Sequence, residues 1–223
     1  MKKSAKLAIV ISSAVVSALA LAVAIPFTVL GIKTASMKAD YSYLKNDEKY
    51  SEKVEASGLD LVTQHISCGY ATIEMLSSYY GEKIDEDSLS EKNHGKITTS
   101  SSKGFEKEIN ASIQNQHFEM HSYLQHDVML KEIYVSLKNN NPVAIEWAAK
   151  YENEWTLHYS VVSALDLVND NVTIFNPYGY IENITIDEFV SRTSFKAYKN
   201  IPGFLNFGFA YGAFDKNAIF YAI

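Results

Sequence analysis

The chain has a single cysteine, Cys68, set in Gln64-His65-Ile66-Ser67-Cys68-Gly69-Tyr70-Ala71 directly ahead of a segment with helical periodicity. A lone thiol cannot close an intrachain disulfide. A sulfur in the first turn of a helix also feels the positive end of the helix dipole, which draws its pKa toward the thiolate. A nucleophile of that kind needs a base and a group to hold the base. His158 opens a strand-like run, Asn176 closes the next one, and Gln64 lies just upstream of the sulfur. Each residue alone has a plainer reading: a buried structural cysteine, a histidine at a strand edge, an asparagine starting an Asn-Pro turn. Taken in order, they are the parts of nucleophilic attack on a carbonyl: a thiol at a helix start, an imidazole on one strand and a carboxamide on the next.

These side chains must be brought together by the elements that carry them. Ile73, Leu76 and Tyr80, flanked by Ala71, Met75 and Tyr79, recur at helical spacing and predict a helix over 68–80 with Gly81 as its C-terminal cap. Further helices are predicted over 105–114 and 128–138, the latter capped by Asp127 and ended by Asn139-Asn140-Asn141-Pro142. Beyond Pro142 the pattern turns to strands, over 143–148, 158–165, 172–175, 204–214 and 218–223, interrupted by a helix over 187–198. A helical first half packed on a mostly antiparallel sheet is an α+β domain. The turn-forming residues Asp166-Leu167-Val168-Asn169-Asp170-Asn171 predict a hairpin that returns Asn176 to the neighbourhood of His158, where its side chain would accept the imidazole Nδ1 hydrogen and leave the other nitrogen toward the sulfur.

The N-terminus carries targeting information. Lys2, Lys3 and Lys6 precede an uncharged run from Leu7 to Ile32, longer than the roughly 20 residues that cross a bilayer as one helix. The lysine bias keeps the N-terminus cytoplasmic and sends the rest outward. Ala22-Val23-Ala24 would suit signal cleavage, whereas the apolar residues continuing to Ile32 suit a retained anchor, so the domain is expected either on the extracellular face of the membrane or secreted. The predicted organisation is a signal or transmembrane segment over 1–32, a polar spacer over 33–58 with partial order where Tyr41, Tyr43 and Leu44 could pack, and one folded domain over 59–223. Asp and Glu outnumber Lys and Arg by 26 to 20, which with no basic block beyond the extreme N-terminus gives no support for nucleic-acid binding. His117 and His121 are four apart, but 116–124 reads as irregular or extended, so no zinc site is expected.

In the motifs around these residues the chain resembles papain-like cysteine peptidases, and among them the bacteriocin-processing, double-glycine leader peptidase-like family. The resemblance rests on Gln64 with Cys68-Gly69-Tyr70-Ala71, on Met75-Leu76-Ser77-Ser78-Tyr79-Tyr80-Gly81, on Asn141-Pro142-Val143-Ala144-Ile145, on His158-Tyr159-Ser160-Val161-Val162 and on Asn176-Pro177-Tyr178-Gly179. It implies a papain-like fold, Cys68 as nucleophile, His158 as base, Asn176 as its orienting partner and Gln64 as an oxyanion donor beside the Cys68 backbone N–H. It implies a peptide or protein substrate and no metal or organic cofactor. Two departures stand out: this branch commonly has aspartate where the chain has Asn176, and Gln64 lies closer to the cysteine than in papain. The transporter-fused members act inside the cell on leader peptides, whereas this domain reads as exported, so the double-glycine substrate is not carried over. The same machinery serves a thiol-dependent amidase or transpeptidase acting on cell-wall or surface peptides, and a surface binding module that keeps the fold without turnover is the alternative from a different class.

Overall fold

The computed structural model describes residues 2–223, with side chains from residue 15. Helix α1 (Lys2–Ser36) leads into two short 3-10 turns and a two-residue strand, β1 (Val54–Glu55). Then follow α2 (Cys68–Tyr79), α3 (Glu86–Lys92), α4 (Ser102–Ser112), β2 (Phe118–His121) and α5 (His126–Lys138). The second half holds β3 (Val143–Tyr151), β4 (Glu154–Asp166), β5 (Asn171–Asn176), β6 (Tyr180–Ile184), α6 (Ile186–Thr193), α7 (Gly203–Ala210) and β7 (Ala218–Ala222). The fold is α+β. Its sheet runs in the order β2-β7-β3-β4-β5-β6, every pair antiparallel, with β1 added alongside β4.

Side-chain alternation along β3 divides the core in two. Val143, Ile145 and Trp147 pack with Met129, Ile133 and Leu137 of α5 and Phe189 of α6. On the opposite face Ala144 packs with Tyr70, Ile73 and Leu76 of α2 and with Phe105 and Ile109 of α4. The sheet is thus covered by helices on both sides.

Three segments differ from the sequence reading. Residues 33–58 do not stand off as a spacer: Leu44, Tyr50 and Val54 are buried in the α5 core, the Tyr50 and Tyr134 rings meet edge to face at 5.0 Å, and Val54 pairs with Leu165. Residues 204–214 form helix α7 and the turn after it rather than a strand, because Leu205 and Phe209 recur at helical spacing into the domain and Pro202 fixes the entry. Helix α5 begins one residue before Asp127, whose carboxylate accepts from Lys131 Nζ at 2.9 Å and Tyr43 Oη at 2.7 Å within the first turn instead of capping it.

Candidate active site

Cys68 is the first residue of α2. Ser67 caps that helix, its hydroxyl accepting from the Tyr70 N–H at 3.1 Å. The helix ends as its sequence predicts, with Gly81 at φ 80° and the Glu82 N–H returning to the Ser77 carbonyl at 2.8 Å. Gly69 is needed where it stands, since a Cβ there would lie 2.2 Å from Thr99 Oγ1, in the loop that crosses the first turn.

The loop from Gln64 to Ser67 is fixed by a residue that sequence reasoning missed. Glu86 is fully buried, and its carboxylate accepts from three consecutive backbone N–H groups: His65 at 2.8 Å, Ile66 at 2.9 Å and Ser67 at 2.8 Å. Nothing in its position, 18 residues beyond Cys68 on a different helix, marks it in the sequence. Gln64 is tied from the other side, its backbone N–H donating to the Pro177 carbonyl at 2.7 Å. Its side-chain Oε1 is buried without a partner.

Asn176 ends β5 and opens a tight turn. Pro177 occupies the position of that turn that suits its fixed φ, and the Gly179 N–H closes it on the Asn176 carbonyl at 3.0 Å. The Asn176 side chain serves the turn and the imidazole together: Oδ1 accepts from the Tyr178 N–H at 2.9 Å and meets His158 Nε2 at 2.9 Å. Its amide orientation is set by Glu182, which accepts from Nδ2 at 2.7 Å, so the oxygen must face the ring. His158 therefore carries its proton on Nε2 and leaves Nδ1 as the free base. The sequence reading had assigned the opposite nitrogen to Asn176. Glu182 is itself held by Arg192, Nη1 to Oε2 at 2.5 Å, and the guanidinium lies 3.6 Å above the Trp147 ring while its Nε–H donates to the Ala148 carbonyl. Tyr178 covers the imidazole, its ring stacked at 4.0 Å, and its hydroxyl is 2.8 Å from Thr156 Oγ1.

Cys68 comes from the opposite face of the sheet: it packs against the cluster of Tyr159 and Ala144, whereas His158 stands opposite Trp147 of the α5 face. The pairing of β4 with β5 stops at Val161 opposite Phe175, and β5 then turns away, leaving the β4 edge open beside residue 159. Helix α2 packs on β4 here, Cys68 lying against the cluster that holds Tyr159, one residue from His158. Among the described residues no hydrogen bond joins the sulfur to the His158 ring itself. Gln64, Thr156, Pro177 and Tyr178, with Thr63 and Tyr151, line a cavity of about 330 Å³.

Burial decides the charge state. It pushes the Cys68 thiol up to about 11, against the Tyr159, Gly69 and Cys68 backbone amides, which lower it. It pushes His158 down to about 3, opposed by the hydrogen bond to Asn176 and reinforced by the positive Arg192. The sequence had predicted a thiol shifted toward thiolate by the helix dipole. Desolvation acts against that dipole here.

Residues 57–203, more than half of the chain, match the Peptidase_C39 like family. The chain belongs to that family. This C39-like chain is thereby a cysteine peptidase. Among solved structures it is similar to a double glycine motif protease from an AMS/PCAT transporter in complex with the leader peptide, at 13% identity over 76% of this chain and 94% of that one, with a TM-score of 0.49. It is also similar to the peptidase domain of Streptococcus ComA, a bi-functional ABC transporter involved in a quorum sensing pathway, at 20% identity over 60% and 92% of the two chains and a TM-score of 0.45. Both likenesses are distant, and neither carries residue roles across. No curated protein matches the sequence.

Proposed function

We propose that this C39-like peptidase hydrolyses peptide bonds through a Cys68–His158–Asn176 triad and an acyl-enzyme intermediate. The reading is carried by one observation: the His158 Nε2 to Asn176 Oδ1 contact of 2.9 Å, which leaves Nδ1 as the free base on the strand that meets the nucleophile helix. The proton passes from Sγ to His158 Nδ1 as the sulfur bonds to the substrate carbonyl carbon. The carbonyl electron pair moves onto oxygen, where the Gln64 side-chain N–H and the Cys68 backbone N–H serve as donors. Collapse expels the amine, which takes its proton from His158. Water then attacks the thioester, His158 accepts its proton, and the acid product leaves as that proton returns to sulfur. Asn176 holds the ring throughout, with Glu182 and Arg192 holding Asn176.

The substrate is a peptide or protein. Helix α1 has a stretch, Val15–Ser36, long and apolar enough to cross a membrane. With Lys2, Lys3 and Lys6 at its start, residues 1–32 serve as an anchor or export signal and the peptidase faces outward. The test uses the full chain in detergent micelles, since residues 44–54 contribute to the core. Incubation with a diverse peptide mixture should yield new termini that Cys68→Ala does not produce; identical product patterns from the two proteins would remove the proposal.

A further inference from the structure

Between Lys199 and Asp215 no side chain carries a charge, and α7 occupies the middle of that stretch. Its inner face is buried, Leu205 and Phe209 packing with Ala148 and Phe195. Its outer face is apolar as well: Phe204, Phe207 and Tyr211, at the three- and four-residue spacing of one helix side, are 70%, 50% and 56% exposed. A soluble domain gains nothing from such a face in water.

What covers this face is indicated by its neighbour. The Phe207 ring meets Phe27 of α1 edge to face at 5.3 Å, and Leu30 packs against the cluster formed by Leu205 and Phe209. Pro26 has no N–H, so within α1 the carbonyl four residues earlier, that of Ala22, loses its helical partner. Tyr211 Oη donates to that Ala22 carbonyl at 3.1 Å. An unpaired carbonyl is tolerable in water but costly in lipid, where no solvent replaces the missing bond. The depth agrees. Counted from Leu7, directly after Lys6, roughly 20 residues of α1 cross about 30 Å of hydrocarbon and end near Pro26, and the apolar stretch runs on beyond it to Ser36. Helix α7 meets α1 at that boundary, where Tyr and Phe rings are at home. Lys38, Lys196 and Lys216 line a single pocket beside the end of α1.

We propose that α7 is a second membrane element: a short interfacial helix docked on α1 at Pro26, with Phe204, Phe207 and Tyr211 seated in the outer leaflet of the same bilayer. The proposal rests on reading α1 as a membrane span. It also requires that α1 be retained, because cleavage after Ala24 would remove the carbonyl that Tyr211 satisfies.

The test places an environment-sensitive fluorophore on a single cysteine at 204 or 207 (Phe204→Cys, Phe207→Cys), with Ile25→Cys in α1 and Val168→Cys in an exposed turn as references. All are made in the full-length Cys68→Ser chain, reconstituted in phosphatidylcholine nanodiscs containing shallow spin-labelled lipid. Labels at 204, 207 and 25 should lose most of their fluorescence to the lipid-borne quencher while the label at 168 keeps its signal. Labels at 204 and 207 that respond only to aqueous iodide, with position 25 quenched by lipid, overturn the interfacial helix and leave the anchor standing. Position 25 unquenched by lipid overturns both.

Discussion

The orientation of Asn176 can be tested by reversing one of its hydrogen bonds. Asn176→Asp replaces the Nδ2 donor, 2.7 Å from Glu182 Oε1, with a second carboxylate oxygen. At an effective dielectric of about 20, two unit charges at that spacing repel by about 6 kcal/mol, an effect that Arg192 on Glu182 partly offsets, so the second ionisation of the pair moves above the ordinary carboxylate range. The two carboxyls then share one proton below that raised value and titrate as a unit. While the proton is shared, the bond to Glu182 is restored and a carboxylate faces the His158 Nε2–H. Because the folded pair holds its proton above the ordinary carboxylate range, its stabilisation is present at low pH and lost as pH rises through the folded value. The expected result is a melting temperature that falls relative to wild type as pH rises from the ordinary carboxylate range through the raised value of the pair, with peptide turnover falling in parallel. Circular dichroism melts and a fluorogenic-peptide assay on the two proteins side by side give both curves. A constant difference in melting temperature over that range would refute the assignment of the Asn176 oxygen to His158 and its nitrogen to Glu182.

Gln64→Ala should lower kcat by about 10² to 10³ with little change in KM, as removal of one oxyanion donor does, and an unchanged kcat would take Gln64 out of the mechanism. Glu86→Gln removes one of the two oxygens that gather the 65–67 amides; hydrogen bonds to a charged group contribute about 1.5–3 kcal/mol each, so a loss of that order in chemical denaturation, together with reduced kcat, is expected. Burial pushes the Glu146 carboxyl up to about 8, so its contribution to stability is present below the ordinary carboxylate range and lost as pH rises through 8. Glu146→Gln should flatten the decline of melting temperature between the ordinary carboxylate range and pH 8, and an unaltered slope would show that another group titrates there. Gly69→Ala drives a methyl against Thr99, and overpacking of that kind costs about 1–3 kcal/mol, measurable as a shift in denaturation midpoint that Thr99→Ser, keeping the offending Oγ1, should not relieve.

The parts of the site that were legible in the sequence are those fixed by local pattern. Helix 68–80 follows from the spacing of Ile73, Leu76 and Tyr80 and from Gly81 after it, and the hairpin carrying His158 and Asn176 follows from the turn residues between its strands. What escaped depends on distant partners. The choice of Nε2 over Nδ1 is made by Glu182, one strand beyond Asn176, together with a ladder irregularity between Val162 and Ala164 that no residue type announces. Tyr50 and Val54 lie singly among charged residues, so their burial by α5 and β4 leaves no periodic trace, whereas Leu44, beside Tyr41 and Tyr43, could be expected to pack. The stretch 204–214 is rich in aromatic residues, and composition alone argued for a strand; the helical face became visible only against Ala148 and Phe195. The elevated thiol follows from enclosure, which a dipole argument from sequence does not include.

One strand joins the contact of α7 with α1 to the Gln64–Tyr178 cavity. Along β4, Trp155 and Leu157 point into the cluster of Leu205, Phe209 and Leu30, the contact of α7 and α1, while Thr156 and His158 point to the opposite face, where Tyr178 bridges them by a hydroxyl contact and a ring stack. The strand between them is paired with β3 without a break from Val143 opposite Val162 to Tyr151 opposite Glu154. A rigid ladder with alternating faces transmits position, so a bilayer that fixes α7 fixes the height and tilt of the Gln64–Tyr178 cavity above its surface. The substrate segment that such an enzyme can reach is then set by distance from the membrane as well as by side-chain fit. A peptide tethered to the same bilayer by a spacer too short to reach the cavity should remain uncut, although the same sequence is cleaved when free in solution.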